Sequence, residues 1–302
     1  MTTQPDVDQI AVLAPSKINL SLHAGTKRSD GFHELESLVA FAAHADRLRL
    51  EPGDSISLLV KGPFARGLMA GDDNLVVRAA RALAKHAKCE HGARIILDKR
   101  IPLASGVGGG SADAAAVLRG LVRLWDLKVE HVELMALAAS LGSDVPMCVA
   151  SVPAWVEGRG ERILPLDAFP LLSLVLVNPM VEVSTGEVFR RLGHRTGVGL
   201  EERPFAFVDA RSLLTYLHGV SNDLELPAIE VAPVIGVVLG ALRQAPGVRL
   251  ARMSGSGATC FAIVDDAAAA RACASALRAG HPDWWVVETS LGTAGSAAPA
   301  AD

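Results

Sequence analysis

The sequence has no apolar run long enough to cross a bilayer. Its apolar stretches are short and broken by charge, and one such as LLSLVLV, Leu171 to Val177, has the length of a strand rather than the roughly 20 residues of a spanning helix. Cysteine pairs are missing too. The four cysteines, Cys89, Cys148, Cys260 and Cys273, lie far apart without a C-x-x-C spacing, so neither a redox motif nor a disulfide framework is expected. The opening MTTQPDVDQI lacks the basic segment and apolar block of a signal peptide, which points to a reduced, cytoplasmic protein with no membrane partner. There is no long basic block, and the formal charge is −4, which argues against nucleic acid as the main partner. Internal repeats are absent. His86, Cys89 and His91 are the best metal candidates, but their spacing matches no zinc pattern and they fall where a surface helix should end, so no protein-held metal is expected.

What the chain does have is a concentration of glycine in one place. In KRIPLASGVGGGSADAAAVLRGL, Lys99 to Leu121, four of the five positions from Gly106 to Gly110 are glycine, just ahead of a helical pattern. Ala114, Val117, Leu118, Leu121, Val122 and Trp125 recur at helical spacing, with Ser111 offering a capping hydroxyl and Asp113 an early acid. Bare backbone N–H groups at a helix start form a cradle for phosphate. A glycine turn that only lets a helix pack closely on a strand is the alternative. Two familiar phosphate loops are excluded: no lysine follows Gly110, as Walker A requires, and the third glycine of G-x-G-x-x-G would fall on Ser111 or Asp113.

With 302 residues, half of them hydrophobic, the chain has room for two domains. Strands are expected within 10–22, where Ile18, Leu20 and Leu22 alternate with Lys17, Asn19, Ser21 and His23 to give one core face and one polar face, and at 47–50, 55–60 and 92–102, the last leading into the glycine loop. Helices are expected after Asp73 or Asn74, after the glycines, and at 131–140. The segment 152–170 is rich in turn residues and reads as a crossing between domains. Beyond it the pattern gives a strand near 171–178, a helix from Ser184, a looser segment at 193–204, helical material around 208–217, 221–230 and 234–243, two strands flanking a Gly/Ser turn at 248–264, an Ala-rich helix at 266–279 and a last strand at 284–291. The tail from 292 or 293 to 302 should be disordered. Mixed elements without strict alternation indicate α+β.

Three loops in order carry more than any one of them. APSKINLSL near the start, IPLASGVGGGSADAA a third of the way along and RMSGSGATCFAI near the end resemble the GHMP kinase superfamily. Within it, DGFHEL and SLGSDVPMCV resemble the family that phosphorylates a cytidine-diphosphate-linked methylerythritol, and the likeness runs from Ala14 to about Ala262. It implies a ribosomal-protein-S5-like ATP-binding domain over 1–160 and a ferredoxin-like substrate domain over 161–292. It also implies ATP as donor, Mg2+ carried by the nucleotide, a small-molecule acceptor, and a monomer or weak homodimer.

The same resemblance assigns roles. Asp144 would be the general base, with Lys17 as its cationic neighbour. Pro102, Leu103, Ala104, Ser105, Gly106 and Val107, then Gly108, Gly109, Gly110 and Ser111, would wrap the ATP phosphates, and Asn74 would serve the nucleotide side. Asn19, Phe32, His33 and Phe189 would bind the acceptor, the two aromatic rings walling a cytosine that His33 reads. Taken locally, Asp144 also reads as a helix cap before Pro146, Lys17 as an edge-strand charge, Phe189 as core and Asn74 as an N-cap. Departures from the family pattern are few: Phe32 stands where tyrosine is usual, and Val107 and Ala112 replace leucine and serine in the loop. The competing functions are a homoserine- or mevalonate-type kinase, for which the DGFH cassette is not expected, and a catalytically silent sensor, against which Lys17 and Asp144 together argue.

Overall fold

The computed structural model describes residues 9–27, 29, 31, 33–193 and 203–292. One long strand organises it. β1 (Ile10–Asn19) and β2 (His23–Lys27) both pair antiparallel with β3 (His33–Gly53), whose 21 residues absorb the short strand expected at 47–50. β4 (Ile56–Lys61) crosses through α1 (Leu75–Ala87) to β5 (Gly92–Asp98), which lies parallel to β4 and antiparallel to β3. Asn74 starts α1 as expected, its side-chain oxygen accepting from the Val76 N–H at 2.9 Å. Then come α2 (Gly109–Leu124), α3 (His131–Leu141), α4 (Val145–Ala150) and the hairpin of β6 (Ala154–Gly158) and β7 (Arg162–Pro165).

The second half runs β8 (Leu172–Asn178), α5 (Thr185–Leu192), α6 (Ala210–His218), α7 (Glu225–Val231), α8 (Val234–Gln244), β9 (Val248–Met253), β10 (Cys260–Val264), α9 (Ala267–Gly280) and β11 (Trp285–Leu291). β11 pairs with β8 throughout, and Leu291 meets Ala42 of β3. A single mixed sheet results, in the order β4-β5-β3-β11-β8-β10-β9, with β1, β2 and β6 also on β3.

Three buried clusters hold this together. One, including Leu48, Leu50, Leu83, Ile95, Val117 and Leu121, lies between the first half of the sheet and α1, α2 and α4. A second joins Val175, Val177, Leu239, Ala262 and Leu277 beneath α8 and α9. The third, with Ile18, Leu20, Trp155, Phe207 and Phe261, spans the seam of the halves. α2 sits hard on the sheet: a Cβ at Gly120 would come within 2.1 Å of Leu50 Cδ1.

Several expectations change. The turn-rich 152–170 is more regular than expected, for it contains the β6–β7 hairpin, with β6 paired to β3 and Trp155 and Val156 buried. The expected boundary at 160/161 therefore falls in the tight turn of that hairpin. The polar residues of this stretch are buried as well: Lys17, Asn19, Ser21 and His23 are each no more than 8 % exposed, Asn19 and His23 meeting Ser254 and Asp223 of the second half and Lys17 meeting Asp144 of the first. Ser111 does not cap α2, which begins two residues earlier with Gly108 at the cap position. Most of the looser segment 193–204 and the tail 293–302 lie outside the described residues.

Candidate active site

The glycine loop leaves the start of α2 bare. Gly108, in the left-handed region at φ 67°, takes the cap position and supplies no side-chain bond, so the first N–H groups of α2 have no intrahelical partner. Gly110 faces open space, since no described atom lies within 4 Å of where its Cβ would be. Gly106 is there for a different reason. At φ 78°, a Cβ on it would sit 2.2 Å from the Gly257 carbonyl oxygen, where this loop touches the Gly/Ser turn between β9 and β10. Gly109, by contrast, backs onto Lys99 and Ile101.

Around these groups lies a cavity of about 620 Å3, within the usual range for a small ligand. Pro102, Leu103, Ala104, Ser105, Gly106, Gly108, Gly109, Gly110 and Ser111 line it, with Asn74 and the apolar Leu68, Met69, Leu75 and Val76 farther out. Val107 is the exception in the expected set. Its side chain is buried in the seam cluster, and its contribution is the carbonyl, which accepts from the Lys17 N–H at 2.9 Å. Asn74 lines the wall while capping α1, its Nδ2 donating to the Met69 carbonyl at 2.7 Å.

A buried charge cluster under this cavity went unforeseen. Lys99, 2 % exposed, donates from Nζ to Asp46 at 2.5 Å and to Asp113 at 2.7 Å. Asp46 also accepts from the backbone N–H groups of Arg100 and Ile101, whereas Asp113 Oδ1 has no partner among the described residues. Burial accordingly pushes the Asp113 carboxyl up to about 7 against the pull of Lys99. For Lys99 burial acts downward, yet the carboxylates of Asp113 and Asp46 outweigh it and hold the ammonium above its usual range. The "early acid" of α2 is thus an anchor for the strand that feeds the glycine loop.

On the other side of Gly108 lie Lys17 and Asp144. Lys17 Nζ is 3.1 Å from Asp144 Oδ2, and a Cβ at Gly108 would be 3.5 Å from Lys17 Cε and 3.9 Å from Asp144 Oδ2. Asp144 stands at the start of α4 but its side chain makes no capping bond, and Lys17, on a strand that pairs with β3 alone, is buried rather than exposed. Both face a second cavity of about 850 Å3. Asn19 lines it too, its Nδ2 bonded to Ser37 Oγ at 2.7 Å and its Oδ1 buried without a partner among the described residues. His33 and Phe189 form its far end, their rings stacked with centroids 5.5 Å apart and planes 27° apart. His33 Nδ1 is 3.0 Å from the Gly25 carbonyl, so it carries the proton. Phe32 lies outside the described residues.

The two cavities meet at Gly106, Gly108, Thr185 and Ser256. Thr185 Oγ1 and Ser256 Oγ bond at 2.8 Å across that meeting point, tying the start of α5 to the late glycine turn. Sequence reasoning found the turn but not its pairing with Thr185. The positive charge of KRSDGFH does reach the second cavity through Lys27, but Arg159 and Arg190, which line it as well, are scattered along the chain and were not found. Among the described residues no group of three or more His, Cys, Asp or Glu side chains is placed to hold a metal ion. A bare helix start in one cavity beside a carboxylate and an ammonium in the next is an arrangement for transferring a phosphoryl group between two guests.

Comparisons with known proteins agree. Family models described as GHMP kinases N terminal domain and GHMP kinases C terminal match residues 74–151 and 206–283. A protein of Methylobacterium radiotolerans named 4-diphosphocytidyl-2-C-methyl-D-erythritol kinase is 49 % identical over 93 % of this chain and 99 % of its own. One of the same name from Rhodopseudomonas palustris strain BisB18 is 48 % identical over 92 % and 94 %. A crystal structure of 4-(cytidine 5'-diphospho)-2C-methyl-D-erythritol kinase superposes with a TM-score of 0.78 at 37 % identity, covering 94 % of this chain and 99 % of that one. A homoserine kinase from Cytophaga hutchinsonii reaches 0.66 at 19 % identity over 96 % of both chains, a likeness of fold alone. The chain belongs to the 4-diphosphocytidyl-2-C-methyl-D-erythritol kinase family of the GHMP kinases.

Proposed function

We propose that this protein transfers the γ-phosphoryl group of ATP to the 2-hydroxyl of 4-diphosphocytidyl-2-C-methyl-D-erythritol, a step of non-mevalonate isoprenoid precursor synthesis. The observation that carries the reading is the meeting of the two cavities at Gly106 and Gly108, with Asp144 and Lys17 on the acceptor side of the boundary. Phosphoryl transfer needs positioning and charge stabilisation more than covalent chemistry, and the parts supply both. The free N–H groups of Gly109, Gly110 and Ser111 point their dipole at the phosphates. Asp144 takes the proton of the attacking hydroxyl, and the Lys17 ammonium attracts the charge that develops on that oxygen. Asn19 Oδ1 is left to accept from an acceptor hydroxyl, and Lys27, Arg159 and Arg190 face its diphosphate. His33 and Phe189 hold the cytosine, with Phe32 as the expected second ring.

Residues 1–160 carry the nucleotide cradle together with Lys17, Asn19, His33 and Asp144, and 161–292 close the acceptor cavity through α5 and the late glycine turn. Mg2+ would come with the nucleotide rather than be held by a cluster of side chains, and would supply neutralisation of charge on the transferring phosphates. No helix among the described residues is long and apolar enough to cross a membrane, and the reading is of a cytoplasmic enzyme, monomeric or weakly dimeric. The test is a competition of acceptors. Purified protein given labelled ATP and Mg2+ with the cytidine compound, homoserine or mevalonate should label the first; transfer to either of the others would overturn the assignment.

A further inference from the structure

Arg119 lies in α2, four residues before Arg123 in the last turn, and its guanidinium is turned inward with no carboxylate partner among the described residues. It donates instead to backbone. Nη1 reaches the carbonyls of Cys148 at 2.5 Å and Val149 at 3.4 Å and the Ser151 hydroxyl at 3.4 Å, all at the C-terminal end of α4. Nη2 reaches the Leu13 carbonyl of β1 at 2.8 Å. Burial lowers its pKa from the usual arginine range, but that range lies so far above neutrality that the charge persists. A cation is well placed there, because the last carbonyls of a helix carry its negative end.

Those contacts close a ring through the reacting groups. The Cys148 N–H bonds to the Asp144 carbonyl at 3.3 Å, so the residue whose oxygen Arg119 holds is the one that fixes the Asp144 backbone. Asp144 Oδ2 meets Lys17 Nζ at 3.1 Å. Lys17 lies four residues along β1 from Leu13, just past the irregularity at Pro15 where the strand's register shifts. Its N–H bonds to the Val107 carbonyl in the loop that opens α2, the helix Arg119 stands on. Three elements therefore carry the base, the ammonium and the phosphate cradle, and one guanidinium fork ties all three.

We infer that Arg119 is a positioning residue for phosphoryl transfer, setting the separation of Asp144 from the phosphate loop; the inference rests on Asp144 being the general base. The alternative is that the same bonds only stabilise the fold. Placement errors of about 1 Å cost roughly 100-fold in rate, so loss of the fork should appear in kcat. Arg119→Met should lower kcat by about 10- to 100-fold with the KM for ATP and for the cytidine compound nearly unchanged. Arg119→Lys, keeping the charge but not the fork, should recover part of the loss.

The deciding experiment is a double-mutant cycle with Asp144→Asn, measuring kcat well below each variant's melting temperature. If Arg119 acts through Asp144, then Arg119→Met or Arg119→Lys should cost far less kcat in the Asp144→Asn background than in the native one. Additive losses, or a variant that melts earlier while keeping native kcat, would leave Arg119 a structural residue and overturn the inference. Should Arg119→Met not fold, the Arg119→Lys arm of the cycle decides alone. Native kcat in Asp144→Asn by itself would remove the base assignment and, with it, the role given to Arg119; a collapse there with additivity in the cycle removes only the latter.

Discussion

Replacing cytosine by uracil in the acceptor should cost the enzyme a defined amount, fixed by the proton on His33. The Gly25 carbonyl can only accept, so the 3.0 Å contact places the ring proton on Nδ1 and leaves Nε2 as an acceptor on a ring that lines the second cavity. Cytosine offers such a nitrogen its exocyclic amine. Uracil offers a carbonyl oxygen, and two acceptors would face each other. The loss is one hydrogen bond plus the cost of leaving its partners unpaired, about 1–3 kcal/mol, or roughly 5- to 150-fold. Phe189, stacked 27° from the His33 plane, is indifferent to the exchange because either base presents a π-face. The assay is kcat/KM for the cytidine compound and its uridine analogue with native protein and His33→Ala. Native enzyme should prefer cytidine by that factor, and His33→Ala should lose both the activity on cytidine by a similar factor and the preference itself. Equal use of the two by the native enzyme, or discrimination that survives His33→Ala, would refute the reasoning.

Two further predictions concern the glycine loop and the charge beneath it. Because the Asp113 carboxyl is raised to about 7, the folded protein holds a proton between about pH 4 and pH 7 that the unfolded chain releases, so this group's contribution to stability falls as pH rises through that window. The slope is at most about 1.4 kcal/mol per pH unit; in urea melts, native protein should lose stability relative to Asp113→Asn from pH 5 to pH 7.5, and a constant difference would contradict the assignment. Gly106→Ala should cost about 1–3 kcal/mol and lower Tm, since its methyl group would strike the Gly257 carbonyl at 2.2 Å. Gly110→Ala, whose methyl group enters open space, should leave Tm alone and raise the KM for ATP; the reverse pattern in the two variants would show that the loop has been read inside out.

Local sequence carried much of this. Asn74 after an aspartate pair, the apolar spacing of 114–125 and the alternation of Ile18, Leu20 and Leu22 each specify an element through a nearest-neighbour rule, and each element formed. What was not legible depends on partners distant in the chain. Lys17 and Asn19 read as the polar face of a strand because nothing nearby shows what covers them: Lys17 meets Asp144, 127 residues on, and the Asn19 N–H donates to Ser254 Oγ of the late glycine turn across 235 residues. Ser111 looked like a cap because serine usually is one; the cap fell to Gly108, since only a residue free to reach φ 67° lets the chain turn there. The Lys99 cluster joins acids 53 and 14 residues away, and Arg119 is one charge among the periodic residues of a helix. A buried ion pair leaves no mark on periodicity.

The central claim is that Asp144 removes the proton of the attacking hydroxyl at the boundary of the two cavities. Its most direct test is a rapid-quench single turnover with γ-labelled ATP and the cytidine compound, comparing native protein with Asp144→Asn, alongside calorimetric affinities for both ligands. The account predicts a transfer rate about 10²- to 10⁴-fold lower in the variant, with both affinities nearly unchanged, because the amide keeps the shape and cannot take the proton. A near-native rate of transfer in Asp144→Asn would contradict it.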